Sequence, residues 1–174
     1  MATTYTLISS VTVGSGGAAN ITFSSIPATY TDLVVKMSLR TLHTNGPDDW
    51  YVRVNNVSTG SVYSYKLLWG TGAAAGNQQG SSQNEIYAGF VDWNNSTAST
   101  FASAEMYFPN YANTSYAKSI SIDGAYEQNG TTAYAYLNAA LYNQTTAISS
   151  IQIVGYNANW AQYTTAYLYG ISNA

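Results

Sequence analysis

Apolar and polar side chains alternate along much of the chain, which is the pattern of β-strands that bury one face. The clearest example is residues 32–41, where one face carries Leu33, Val35, Met37 and Leu39. Residues 20–23 and 118–123 alternate in the same way. A helix would show a period of about 3.6 residues, and no segment shows that period convincingly. The pattern therefore predicts a protein built from strands.

Turn-forming residues separate these strands and indicate which of them are neighbours. The dipeptide at 129–130 is Asn-Gly, a strong hairpin signal. It predicts that residues 118–123 pair with residues 132–143. Residues 85–93 and 102–108 also have strand character, and we expect them to pair with each other across the polar turn between them.

One stretch departs from the strand pattern. Residues 70–84 are mainly Gly, Ala, Ser and Gln, a composition that buries little surface and predicts a long flexible loop. The strands before and after it have the same character, so we expect one domain covering residues 1–174. About ten strands spaced by roughly 8–15 residues predict an all-β fold. We expect a single-domain antiparallel β-sandwich that is jelly-roll-like.

Aliphatic residues at alternating positions define the expected core. We predict that the following side chains point inward: Leu7, Val11, Ile21, Phe23, Leu33, Val35, Met37, Leu39, Ile120, Ile122, Ile151, Ile153 and Leu168. Residues 24–33 connect two of the strands. Pro27 fixes φ and cannot continue a ladder, and Asp32 is suited to cap the turn. This segment is expected to carry the chain from one strand to the next.

The composition indicates what kind of surface the protein has and which partners it can bind. Only 7% of residues are charged, yet the chain has 17 tyrosines and 4 tryptophans. Globular domains have about 25% charged residues, so this surface must consist of hydroxyl, amide and aromatic groups. The basic residues are scattered singly, which argues against nucleic acid and membrane partners. Cysteine is absent, so stability cannot depend on the redox compartment.

Candidate catalytic chemistry is sparse. His43 with Asp48 or Asp49 suggests a hydrolytic triad, but no nucleophile motif accompanies it. The same two aspartates suggest a calcium site, but the alternating ligand spacing is missing, and a turn-capping role is favoured. The other acids are isolated in sequence, although a glycosidase needs only two that converge in a cleft. We therefore predict no catalytic residues, no metal and no cofactor.

Aromatic side chains offer a binding alternative. Trp faces can stack on sugars, but such rings more often fill cores and interfaces, and we favour packing. If any aromatic residues contact a partner, the candidates are Trp50, Tyr51, Trp69, Trp93, Tyr111 and Trp160.

Residues 24–33, with the sequence Ser-Ser-Ile-Pro-Ala-Thr-Tyr-Thr-Asp-Leu, carry a resemblance. Together with Tyr-Thr-Leu-Ile at 5–8, Pro-Asn-Tyr at 109–111 and Leu-Tyr-Gly-Ile at 168–171, they resemble small β-rich structural proteins of tailed bacteriophages, especially cyanophages and other aquatic phages. The resemblance covers most of the chain, and residues 24–33 are its specific part. It carries no catalytic residues.

The resemblance implies a virion component. We expect a capsid decoration or cement protein that binds the major capsid protein and copies of itself, as a homotrimer, and stabilises the head shell. A tail or fibre module that binds host-surface glycans is the alternative, and a glycan hydrolase is a third hypothesis. Residues 1–10 lack the features of a secretory signal. We therefore expect synthesis in the host cytoplasm and a final location in the virion.

Overall fold

The computed structural model describes residues 4–130 and 132–172. These residues form twelve β-strands and no helix: β1 Tyr5–Thr12, β2 Asn20–Phe23, β3 Asp32–Leu39, β4 Asp48–Val54, β5 Tyr63–Gly70, β6 Ala75–Gln83, β7 Ile86–Val91, β8 Ala102–Phe108, β9 Lys118–Tyr126, β10 Tyr134–Tyr142, β11 Ile151–Gly155 and β12 Thr165–Ile171.

The strands form two antiparallel sheets. A large sheet has eight strands in the order β1-β12-β3-β8-β9-β10-β5-β6, and a small sheet has four in the order β2-β11-β4-β7. One continuous hydrophobic core contains side chains from both sheets. The predicted all-β fold and single-domain antiparallel β-sandwich are therefore confirmed.

The strand pairs are nested along the chain. In the large sheet β1 pairs with β12 and β3 with β8, while in the small sheet β2 pairs with β11 and β4 with β7. Successive pairs alternate between the sheets, so the chain wraps as a jelly roll. Two hairpins, β5-β6 and β9-β10, are added beyond β8. We call β9, β10, β5 and β6 the extension, and β1, β12, β3 and β8 the wrapped half of the large sheet.

Most of the predicted core residues are buried, and only the edge strand β1 departs from the expectation. Val11 is half-buried, and Leu7 is 52% exposed. A β-bulge lies between Leu7 and Ser9 in the pairing of β1 with β12. Ile8 is the extra residue of this bulge, and it packs against the core in place of Leu7. A bulge changes which side chains of a strand face inward. The prediction that Leu7 points inward was therefore wrong.

Residues 24–33 carry the chain from the small sheet to the large one, as expected. The Asp32 carboxylate accepts hydrogen bonds from the Asn110 backbone N–H at 2.7 Å and from the Tyr107 hydroxyl at 2.7 Å. Asp32 thus caps a turn at Asn110, which is distant in sequence. From the sequence, we expected it to cap the turn within residues 24–33.

The predicted long loop at residues 70–84 is wrong, because most of it forms β6, the edge strand of the large sheet. Rings on β5 explain how a strand with so few side chains is held. A Cβ built at Gly76 would lie 2.3 Å from the Trp69 ring, and one at Gly80 would lie 2.6 Å from the Tyr65 ring. The neighbouring strand therefore covers the glycines with aromatic faces, the arrangement known as aromatic rescue.

The expected pairing of residues 85–93 with 102–108 is also wrong, because β7 belongs to the small sheet and β8 to the large one. The connection between them is fixed by the buried Arg40 side chain. Its guanidinium donates hydrogen bonds to the carbonyl oxygens of Asn94 at 3.0 Å, Thr97 at 2.9 Å and Thr100 at 2.8 Å. These contacts allow a polar segment to cross between the sheets with its carbonyl groups satisfied.

Candidate functional site: the outer face of the large sheet

The large sheet has one face packed in the sandwich and one face turned away from the small sheet, which we call the outer face. Alternation along each strand places Lys36, Glu105, Asp123, Leu137 and Leu68 on it. These five occupy one cross-strand row, because each lies opposite the next in register. At about 4.8 Å between strands, eight strands give a face about 34 Å wide.

The extension carries an apolar patch on this face. Leu68 is 63% exposed, and Leu137, directly opposite it, is 57% exposed. Ala135 and Ala139 flank Leu137 on β10 and are also exposed. We call these four residues the leucine patch. Large aliphatic side chains left in water on a flat surface are typical of a contact surface.

A second patch lies at the other edge of the large sheet. Tyr5 is 50% exposed, and its ring contacts Tyr169 edge to face, with centroids 6.3 Å apart. Leu7 lies opposite Tyr169, and Tyr167 is exposed on the same strand. These four residues form the tyrosine patch, which offers both apolar area and hydroxyl groups.

A short charged strip separates the two patches. Lys36 donates a hydrogen bond to the Glu105 carboxylate, which raises the pKa of Lys36. Burial raises the pKa of Asp123, and the neighbouring Glu105 adds to this rise. Both members of the ion pair are substantially exposed, with side chains 53% and 37% accessible. Such a pair adds little stability, but it fixes the orientation of any partner that must match it.

The six predicted contact aromatics do not lie on the outer face. Trp50, Trp160 and Tyr111 are completely buried, so they belong to the core and do not reach the surface of the folded chain. The Trp50 indole N–H donates to the Tyr136 hydroxyl at 3.1 Å, and the Trp160 indole N–H donates to the Ile153 carbonyl at 3.1 Å.

The other three predicted aromatics are half-buried. Tyr51 packs against Tyr87 and Tyr156, with ring centroids 5.4 and 5.1 Å apart. Trp69 faces inward on β5 and contacts Phe90, and Trp93 contacts Tyr126. Tyr51 and Trp69 pack against the same cluster, formed by Leu67, Tyr87 and Tyr136, whereas Trp93 packs against the main core.

The candidate catalytic residues are used for structure. Asp48 is buried and accepts hydrogen bonds from the backbone and side chain of Asn157 at 3.2 and 2.8 Å. Asp49 accepts one from the Tyr87 hydroxyl at 2.9 Å, and burial raises its pKa. His43 lies in the preceding loop. Within residues 4–130 and 132–172, no cluster of three or more His or acidic side chains is suited to hold a metal ion.

Sequence reasoning missed the leucine patch, although a signal was present. Leu67, Leu68 and Trp69 are consecutive, so in a strand at least one of these large apolar residues must face outward. Leu137 similarly alternates with Tyr136 and Asn138, both of which are buried. The sequence favoured large rings as contact residues, whereas the fold buries the largest rings and exposes aliphatic side chains.

No known protein family, curated protein or solved structure matches this chain. Among the residues that the structure describes, none belongs to a helix that is long and apolar enough to cross a membrane.

Proposed function

We propose that the protein is a structural component of a bacteriophage virion, and that it decorates the head shell. The observation that carries this proposal is the outer face of the large sheet, which presents two apolar patches on either side of a short charged strip. The resemblance of residues 24–33 to phage structural proteins supports it. Jelly-roll sandwiches are also frequent among viral capsid and lectin domains.

The proposed mechanism is adhesion at many equivalent points. The leucine and tyrosine patches bury apolar surface against the major capsid protein, and the strip of Lys36, Glu105 and Asp123 sets the orientation. Many copies on one particle act together, so a weak contact per copy is sufficient for full occupancy. Each bound copy spreads load from one capsid subunit to its neighbour. No catalytic, metal or cofactor chemistry is part of this function.

A tail or fibre module that binds host glycans is the second candidate. Jelly rolls include lectin domains, and Tyr51 and Tyr156 present adjacent rings at the surface of the small sheet. Sugar stacking on this ring pair would place the binding site on the sheet opposite the outer face. The two functions therefore predict different contact surfaces.

Cryo-electron microscopy of particles of the phage that encodes the chain tests the proposal. We expect density for the sandwich at repeated positions on the head, with the outer face toward the shell. A double variant, L68S/L137S, should bind stripped heads at least tenfold more weakly, since both substitutions remove apolar contact area. Substitution of Tyr156 by Ser is the matched control and should leave head binding unchanged.

Two outcomes would contradict decoration of the head. Density confined to the tail, with binding lost in the Tyr156→Ser variant and kept in L68S/L137S, would favour the glycan-binding module. Absence of the protein from purified particles would exclude both functions.

A further inference from the structure

We propose that two copies of this chain associate through β6, whose free edges pair antiparallel about a twofold axis centred on Gln78. The pairing joins two large sheets into one continuous sheet. This inference goes beyond the proposed function, and it predicts a pair of chains where the resemblance had led us to expect a homotrimer. Its test needs only the purified chain, so it and shell binding can fail separately.

The alternation of hydrogen-bonded and non-bonded residue pairs between β5 and β6 shows which backbone groups of β6 face the open edge. At the β5-β6 turn the Thr71 N–H donates to the Ala74 carbonyl at 2.8 Å. Antiparallel residue pairs alternate between bonded and non-bonded, and the register runs without a shift from Ala75 to Gly80. Gly76, Gln78 and Gly80 therefore bond to β5, while Ala75, Asn77 and Gln79 direct their N–H and C=O groups to the open edge.

From Ala75 to Gly80 this edge lacks most of the usual protection against pairing, and its one bulge lies beyond this segment. Residues 70–84 contain no charged residue and no proline, whereas exposed edges are normally blocked by Lys, Pro, a bulge or short length. The bulge of β6 lies at Ser81 and Ser82, beyond the regular segment from Ala75 to Gly80, whereas the edge strands β1 and β7 also carry register shifts and β2 has only four residues. β6 has nine residues.

The side chains of β6 are uncharged, so pairing two copies of this strand sets no charged residues of β6 opposite each other. Lys66 of β5 donates a hydrogen bond to the Gln79 side chain on the outer face. Pairing centred on Gln78 sets Asn77 opposite Gln79 of the second copy, and their outward backbone groups then meet. It also sets Gly76 opposite Gly80, so no side chain obstructs the rings of Trp69 and Tyr65 that cover these glycines. The left-handed Ser82, with φ of 54°, lies just beyond the paired segment.

The line along which the two β6 strands pair, which we call the seam, determines how the outer faces of the two copies lie. A twofold axis normal to the sheet places both outer faces on the same side. Because Leu68 lies on β5, next to β6, the two leucine patches lie on either side of the seam. The pair of chains thus presents a doubled apolar surface to one partner.

Cysteine cross-linking tests the register directly, because the chain has no cysteine of its own. In the proposed register Gln78 faces its own copy across a non-bonded pair, with Cα atoms about 4.5 Å apart, within disulfide range. The Q78C variant should form a disulfide dimer in high yield under mild oxidation. The N77C variant is the matched control, since its Cα atoms would be about 9 Å apart, and it should cross-link poorly.

Native mass spectrometry and light scattering of the unmodified chain test the association itself. We expect a concentration-dependent dimer. Substitution of Gln79 by Pro removes an outward N–H and should weaken dimerisation at least tenfold, whereas Gln79→Thr should dimerise as the original chain does. Proline is tolerated where a strand's N–H faces away from its neighbour, so circular dichroism should show both variants folded.

Several results would overturn the inference. A monomer at all concentrations would exclude it, and so would a trimer, because a twofold seam joins copies in pairs. Equal dimerisation of Q79P and Q79T would show that the interface lies elsewhere. Stronger cross-linking of N77C than of Q78C would refute the register.

Discussion

The inner face of the large sheet is covered by different kinds of side chain in the wrapped half and in the extension. In the wrapped half, aliphatic side chains such as Val35, Leu39 and Leu168 pack against the small sheet. In the extension, β5, β9 and β10 lie mainly against β7, the edge strand of the small sheet, and Trp50 and Val54 of β4 donate hydrogen bonds to the hydroxyls of Tyr136 and Tyr63. There an aromatic cluster around Tyr87 and Tyr136 covers part of the inner face.

The difference shows how a sheet can extend beyond the sheet that covers it. Large rings reach farther than aliphatic side chains, so Tyr136 fills the space over Gly89 and Gly124, where a Cβ would lie 2.4 Å from the ring and 2.3 Å from the hydroxyl oxygen, respectively. Edge-to-face contacts such as Tyr87 with Phe90, at 5.9 Å between centroids, add to this packing. The wrapped half provides the fold, and the extension adds the free edge and the leucine patch.

The largest expected effect comes from filling the contact between the extension and β7 of the small sheet. Substitution of Gly89 by Ala would place a Cβ against the Tyr136 ring, and the φ of Gly89 is 146°, which only glycine adopts without strain. Overpacking and backbone strain together should lower the free energy of unfolding by about 3 kcal/mol. Urea denaturation measures the loss.

Gly14→Ala is the matched control, because Gly14 has no atom within 4 Å of the added Cβ. It should change the unfolding free energy by less than about 0.5 kcal/mol. If Gly89→Ala were equally harmless, the ring-on-glycine contact would not hold the extension in place.

A smaller effect is expected from the buried carboxylate of Asp92, just after β7, in contrast to an exposed charge of the extension. Asp92, at the end of the jelly roll beside Arg40, is buried, and neither of its carboxylate oxygens has a hydrogen-bond partner among the residues described. Burial raises the pKa of Asp92, and this outweighs the opposing influence of the nearby Thr100 and Ser96 hydroxyls and the Arg40 guanidinium. The folded chain therefore binds this proton more tightly than the unfolded chain, and stability falls as pH rises from about 4 through the folded-state pKa.

Replacing Asp92 by Asn should remove this penalty. We expect the variant to be about 1 kcal/mol more stable than the original chain at pH 7, and the advantage to shrink at pH 4. Thermal and urea unfolding at both pH values provide the measurement. The exposed Lys66 of the extension offers a control, since Lys66→Gln should leave the pH dependence in this range unchanged. A destabilised Asp92→Asn at pH 7 would mean that the carboxylate has favourable interactions after all.

The sequence was informative where pattern alone decides structure. Period-two alternation located β3, β9 and the aliphatic core, and Asn129-Gly130 located the turn between β9 and β10. It failed at β6, because a strand of Gly, Asn and Gln carries no such signal and is held by rings on another strand. It also placed contact residues on Trp50 and Trp160, since composition does not show which aromatic residues the fold buries.

Radical footprinting of side chains, on the free protein and on intact phage heads, most directly tests the claim that the outer face is the contact surface. The account predicts that labelling of Leu68, Leu137 and Tyr167 falls severalfold on the particle, while that of Tyr156 and Tyr163 stays unchanged. Unchanged labelling of the two leucines together with protection of Tyr156 would contradict it.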